Sequence, residues 1–313
     1  MGYKELITLM MRPDKEYLLN MGSGKLSKAF KISRQEVIDA KKEVRESLNR
    51  GETTSHGTRP NILILDIETA PIKAFVWRLW KQDVALSQIV SDWYMLTWSA
   101  KWLGEDSIMS QRLTGREAEA EDDSRILDTL WKLLDKADMI VAHNGNMFDI
   151  PKINSRFFMN GFPPPSPYKQ IDTKVIASRQ FGFSSNKLDA LAGYIGIDHK
   201  MHTSFSLWSK CVSGDDEALE YMETYNVKDV EILEEVYIKL RPWIPNHPNV
   251  AVYSESIVPT CSVCGSTHLT FNDKYHYTNL GKYAVYTCEC GAHNSQRTNL
   301  LSSEKRKSLL LKR

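Results

Sequence analysis

Asp66 and Glu68 stand two residues apart at the end of an apolar run, "NILILDIETA". Side chains alternate along a strand, so the two carboxylates would share one face, with Ile67 on the other. Adjacent carboxylates repel, and one takes up a proton unless a cation lies between them. A divalent ion bound through oxygen is such a cation. A strand that simply ends in two exposed acids is the competing reading. Asp149 closes "MIVAHNGNMFD", an apolar stretch followed by an Asn-Gly turn. There a helix N-cap competes with a metal ligand. Tyr225 and Asp229, in "YNVKD", lie one helical turn apart on the same face. Met222 and Leu233 fall close to that face, which suits burial, and a buried acid needs a partner.

A second group is made of thiols. Cys261 and Cys264 are followed, after 23 residues, by Cys288 and Cys290. Two Cys-bearing turns joined by a hairpin can surround one Zn²⁺ tetrahedrally, and four protein ligands make such an ion structural. The second pair is one residue shorter than C-x2-C, which leaves His293 as an alternative to Cys288 or Cys290. Cys211 stands alone and reads as a core thiol.

Several elements must position these groups. "NILILDIE", "YMLTWSAKWL" and "DMIVAHN" read as strands. "DDSRILDTLWKLLDKA", "DIPKINSRFFMNG" closed by Gly161, "KLDALAGYIG" and "DDEALEYMETYNVKDVEILEEVYIKL" read as helices. Their alternation over residues 61–245 implies an α/β layered domain. Residues 1–50 read as a helical, helix-turn-helix-like module and 51–60 as a linker. Residues 246–300, with the strand "KYAVYTC", read as a zinc-ribbon-like module, and 301–313 as a basic tail. In the first module Ser33 and Glu36 form a capping box. Leu26, Ala29, Phe30, Ile32 and Val37 would pack together, with Arg34, Gln35, Lys41 and Lys42 carried on the second helix toward DNA or a protein.

"DIE", "NGNMFD" and "YNVKD" resemble, in order and form, the three exonuclease motifs of the DEDD superfamily. The Tyr four residues before the last Asp is similar to the DEDDy branch, which includes the proofreading domains of DNA polymerases. The arrangement also resembles stand-alone nucleases encoded by tailed bacteriophages. The resemblance covers roughly residues 61–240. It implies an RNase H-like fold, a central mixed sheet flanked by helices. It implies two catalytic Mg²⁺ or Mn²⁺ ions, with Asp66 bridging both, Glu68 and Asp229 completing one site and Asp149 holding the other. Tyr225 would orient the attacking water. The backbone and side chains around Ile67 and Thr69 would meet the terminal nucleotide, with Asn144 and Phe148 beside sugar or base; Phe148 reads equally as core packing. Asn186 and Lys187 would hold a phosphate, or simply open a helix. Asp172 reads as a structural acid, and most of the eight tryptophans as core.

The implied activity is 3′-to-5′ hydrolysis of nucleic acid, DNA favoured over RNA, with a replication or polymerase partner. An RNase or a structure-selective nuclease on the same fold is the rival enzyme. A non-catalytic DNA-binding protein is the rival outside enzymes. Net charge is +1, so no global field selects a partner. The first 60 residues nevertheless hold 12 Lys/Arg against 8 Asp/Glu, which suits a polyanion. No run approaches the roughly 18 apolar residues of a membrane span. The N-terminus lacks a signal peptide's apolar stretch, and Leu6 departs from the myristoylation pattern. A cytoplasmic protein is expected.

Overall fold

The computed structural model describes residues 21–49, 59–197, 201 and 203–311, together with Tyr3, Leu6, Met10 and Leu18. Most of the expected linker, and the end of the basic tail, lie outside the described residues. The chain divides into two compact units, residues 1–59 with 250–260, and residues 60–249 with 261–313.

In the first unit Leu26, Val37, Ala40 and Val44 recur at helical spacing and are fully buried, with Leu6, Met10 and Leu18. They draw together helices α1 (Ser23–Phe30) and α2 (Arg34–Asn49). Lys31, at φ 55, ends α1 in the left-handed conformation. The capping box forms: Ser33 N–H donates to Glu36 Oε2 at 2.6 Å, and Glu36 N–H to Ser33 Oγ at 3.1 Å. Phe30 and Ile32 pack on this core, but Ala29 does not; it lies on the exposed side of α1. Lys41 donates to the Met21 carbonyl and Gln35 to Asp39.

The second unit is built on β1 (Ile62–Thr69), whose first four residues are all buried. Each fully buried Leu or Ile contributes about 1.5–3 kcal/mol, enough to hold this strand in the middle of a sheet. β2 (Lys73–Ala74) and β3 (Ile89–Ser91) form a separate ribbon. β4 (Met95–Trp102) and β5 (Ile108–Arg112) follow, then α3 (Gly115–Ala120) and α4 (Ser124–Lys136). β6 (Met139–Ala142), α5 (Asp149–Met159), β7 (Lys169–Asp172), α6 (Thr173–Gln180) and α7 (Leu188–Tyr194) come next. α8 (Phe205–Cys211) and the long α9 (Asp216–Leu240) complete the α/β layers.

The central sheet has order β5-β4-β1-β6-β7. β1 pairs antiparallel with β4 and parallel with β6. It is a mixed sheet flanked by helices, as the RNase H-like expectation required. Leu63, Leu65 and Ile67 face a core shared with Ile126 and Leu130 of α4 and Ile153 and Phe157 of α5. α9 packs over β4 and β1. Lys101 of β4 pairs with Glu234 of α9 at 2.5 Å, and the second Glu234 oxygen accepts from the Gly104 N–H. α5 is held by Arg156, which grips the buried Asp123 through two bonds of 2.7 Å. Asp123 also accepts from the Met95 N–H, so α5 and β4 are fastened to the start of α4.

Beyond α9, β8 (Leu269–Thr278), β9 (Gly281–Cys288) and β10 (His293–Ser295) form an antiparallel sheet, followed by α10 (Ser303–Ser308). Among the described residues no helix is long and apolar enough to cross a membrane.

Candidate active site

β1 delivers Asp66 and Glu68 opposite Ser99 and Thr97 of β4, with a break in register just after Glu68. Ile67 points the other way, into the core. α9 crosses the acid face and supplies Asp229. One carboxylate oxygen from each of Asp66, Glu68 and Asp229 lies within 4.8 Å of the other two. Asn226, one helical turn before Asp229, donates its side-chain amide to Asp66 Oδ2 at 2.6 Å. Tyr225 is half-buried, packed on the core edge, with its hydroxyl close enough to Asp229 to feel its charge.

Asp149 is buried at the first position of α5. Its Oδ1 accepts from the Ile67 N–H at 3.2 Å, so it reaches β1 directly. It stands outside the three-acid group but close enough to Asp66 and Glu68 to act on their charge. The loop before it is folded around Asp172. That carboxylate accepts from the N–H groups of Asn144, Asn146, Lys174 and Val175, all within 3.1 Å. Asp172 therefore serves as a structural acid. Asn144 takes φ 68, and a Cβ on Gly145 would sit 2.5 Å from the Ala142 Cβ. A left-handed Asn followed by Gly is what this turn admits.

Burial drives the electrostatics. It pushes Asp66 well above the usual carboxylate range, helped by the charges of Asp149, Glu68 and Asp229; the Asn226 amide acts in the other direction. Burial raises Glu68 to about 8, with Asp229 and Asp149 adding and the nearby Trp208 indole subtracting. Asp149 is raised to about 7 by burial, against the pull of its own N–H and that of Ile67. Tyr225 is pushed upward by burial and by Asp229 and Glu68. It stays a phenol near neutrality.

The expected substrate contacts divide. Phe148 is half-buried on the core, with the Lys152 amine 5.1 Å from its ring centre and 3.7 Å from that of Trp93. Thr69 is buried. Ile67 cannot offer its side chain to a nucleotide, because strand alternation turns it away from the acids. Asn144 is half-exposed beside the Asp149 loop. The Asn186 carbonyl accepts from His143 Nε2 at 3.0 Å, and the Asn186 side-chain oxygen is buried without a partner. Lys187 is the exposed N-cap of α7.

Two residues at the acids stand outside the sequence-derived set. Asn226 lies inside "YNVKD", and its position three before Asp229 was the available signal. Trp208 comes from α8, and no local pattern ties it to β1.

Cys261, Cys264, Cys288 and Cys290 converge, with all four sulfurs within 4.8 Å of one another. Cys261 and Cys290 are 3.8 Å apart, and Cys264 and Cys288 3.5 Å. Sulfurs about 2.3 Å from one tetrahedral ion stand about 3.8 Å apart. Burial would raise the Cys261 thiol, but the N–H groups of Cys264 and Val263 and the Asn294 amide bring it down to about 7. Gly265 and Gly291, at φ 77 and 90, close the two turns. The shorter second turn thus still delivers both its thiols. His293 is exposed in β10 and bonded to Thr287, away from the sulfurs.

Residues 102–241 match the RNase_H_2 model of the RNase H superfamily. This segment is an RNase H superfamily domain. The match contains Asp149, Tyr225 and Asp229 and begins after the β1 acids. A family B DNA polymerase from the hyperthermophilic archaeon Pyrobaculum calidifontis is similar in structure, with 17% identity and a TM-score of 0.44. The similarity covers 59% of this chain and 25% of the polymerase, so the chain spans about a quarter of that protein. No curated protein matches.

Proposed function

We propose that the chain is a metal-dependent 3′-to-5′ exonuclease that hydrolyses phosphodiester bonds of nucleic acid, DNA in preference to RNA. The observation that carries this reading is the convergence of Asp66, Glu68 and Asp229 within 4.8 Å, with Tyr225 beside Asp229. The RNase H superfamily match supports a nucleic-acid hydrolase. The polarity rests on the motif set and on the Tyr placed four residues before Asp229.

The residues fit divalent ions. Three carboxylates so close, two of them (Asp66 and Glu68) pushed toward protonation by burial and by their acidic neighbours, are the oxygen donors that a hard cation needs. Asp66, Glu68 and Asp229 would hold Mg²⁺ or Mn²⁺, with Asp149 serving a second ion. Such ions, when bound, lower the pKa of water and offset charge on the leaving oxygen.

The chain's own groups do the positioning. Asn226 fixes one oxygen of Asp66, and the Ile67 N–H fixes one of Asp149. Tyr225, kept as a phenol, aims its hydroxyl at the attacking water and does not take its proton. The four thiols would hold a structural Zn²⁺ that ties the two turns of the ribbon together. On this reading residues 61–245 are the catalytic domain, 246–300 the zinc ribbon and 1–50 a helical module for DNA or a replication partner. The motif set is that of a nuclease of the bacteriophage type.

Cleavage of 5′-labelled DNA and RNA with free or blocked 3′ ends tests the proposal. Stepwise shortening of DNA only from a free 3′ end is expected. Equal cutting of blocked ends, or cutting of RNA alone, would overturn it.

A further inference from the structure

The segment between β2 and β3 leaves the acid-bearing end of β1 within a few residues of Glu68. It has an unusual surface. Trp77 is 94% exposed, Trp80 79%, Phe75 77% and Leu79 84%. An exposed apolar cluster of this kind marks a binding surface.

The segment is nonetheless folded. Its base is closed by Lys73 and Ser91, both bonded to Glu121, and by the Phe75 N–H on the Gln88 carbonyl. Its tip is a turn in which Arg78 donates to the Lys81 carbonyl and Gln82 accepts from the Arg78 N–H; Lys81 takes φ 51. These bonds use backbone groups and polar side chains, one Arg78 guanidinium nitrogen among them, and none of the rings. They leave the rings facing outward, with Arg78 and Lys81 interleaved among them. From Ile72 to Gln82 there is no acid, and Asp83 is the first.

Flat rings alternating with cations suit one occupant well. Bases stack on aromatic faces whatever their identity, and cations between the rings meet the phosphates. We infer that residues 75–81 form a stacking arm for single-stranded nucleic acid, with Phe75, Trp77 and Trp80 on bases and Arg78 and Lys81 on the backbone. The arm would grip the strand whose end lies at Asp66 and Glu68. The inference rests on the proposed nuclease reading for its substrate, but binding and cleavage can be measured separately.

The test compares W77A/W80A with W77F/W80F in the full chain. Binding of a short fluorescein-labelled oligothymidylate is followed by anisotropy in an Asp66→Ala background, so that cleavage does not interfere. Hydrolysis of a p-nitrophenyl ester of thymidine 5′-phosphate, too small to span the arm, is followed without that background change. Kd should rise about tenfold or more in the Ala pair and return most of the way in the Phe pair. Ester hydrolysis should stay within about twofold, because the arm makes no contact with so small a substrate. Unchanged Kd in the Ala pair would overturn the arm. So would a wild-type arm that binds no oligonucleotide. Unchanged Kd with a shift in sedimentation would also overturn it, in favour of a protein interface. Ring-dependent binding by a protein that cleaves nothing would keep the arm and defeat the exonuclease reading alone.

Discussion

Asn226 Nδ2 lies 2.6 Å from Asp66 Oδ2, joining α9 to the central strand inside the acid cluster. A neutral donor at that point lets one oxygen of Asp66 carry charge among three other acids. Asn226→Ala should therefore move the acid limb of the pH–activity profile upward, since Asp66 then holds its proton to higher pH. At pH 7 kcat/KM should fall about tenfold, the size of one lost charge-assisted hydrogen bond, and recover toward alkaline pH. A profile lowered equally at every pH would refute this role.

Glu68 at about 8 and Asp149 at about 7 lie above the unfolded carboxylate values near 4. The folded chain thus binds more protons than the unfolded chain between those values. The stability linked to these groups is full below about pH 4 and is lost as pH rises through about 7 to 8. Protein without added divalent ions should melt lower at about pH 8.5 than at about pH 6, and Mg²⁺ should restore the loss. Glu68→Gln should flatten this dependence while abolishing cleavage. A Tm in the Glu68→Gln protein that falls as steeply as in the wild type would contradict the assignment.

Tyr225→Phe removes the hydroxyl beside Asp229 but no carboxylate. We expect kcat to fall about tenfold to a hundredfold, the range for a misplaced reactant, with KM nearly unchanged. A loss as deep as that of Asp66→Ala would mean that Tyr225 does more than orient water.

Arg156→Met leaves Asp123 buried and unpaired. Breaking such a pair costs about 3–5 kcal/mol, which urea unfolding would register. A loss under about 1 kcal/mol would show that the Met95 N–H alone suffices to satisfy Asp123.

Cys264→Ser should lower bound zinc and loosen residues 255–300, leaving the acid cluster's ligands in place. Metal analysis of the variant showing unchanged zinc would refute the four-thiol site.

What could be read before the fold was known followed local physics. The Ser33–Glu36 box spans three residues, the Asp66–Glu68 pair two, and each pair of thiols one turn, so periodicity alone places them. The contact of Asn226 with Asp66 and the approach of Trp208 to Glu68 span the chain, and only the packing of α8 and α9 creates them. Arg156 and Asp123 likewise meet because α4 and α5 share a core. The tryptophans show the limit most plainly. Trp98 is buried, and Trp102, Trp131 and Trp208 pack on the core, but Trp77, Trp80 and Trp243 are exposed. Hydrophobicity predicts burial only where a partner face exists, and β2–β3 is a two-stranded ribbon outside the main sheet.

The most direct test is a time course on 5′-labelled single-stranded DNA with Mg²⁺ or Mn²⁺, run beside Asp66→Ala. A ladder shortening from the 3′ end in the wild type, dependent on metal and absent in the folded variant, is the predicted result. Equal shortening by Asp66→Ala, or an intact substrate with both metals, would contradict the account.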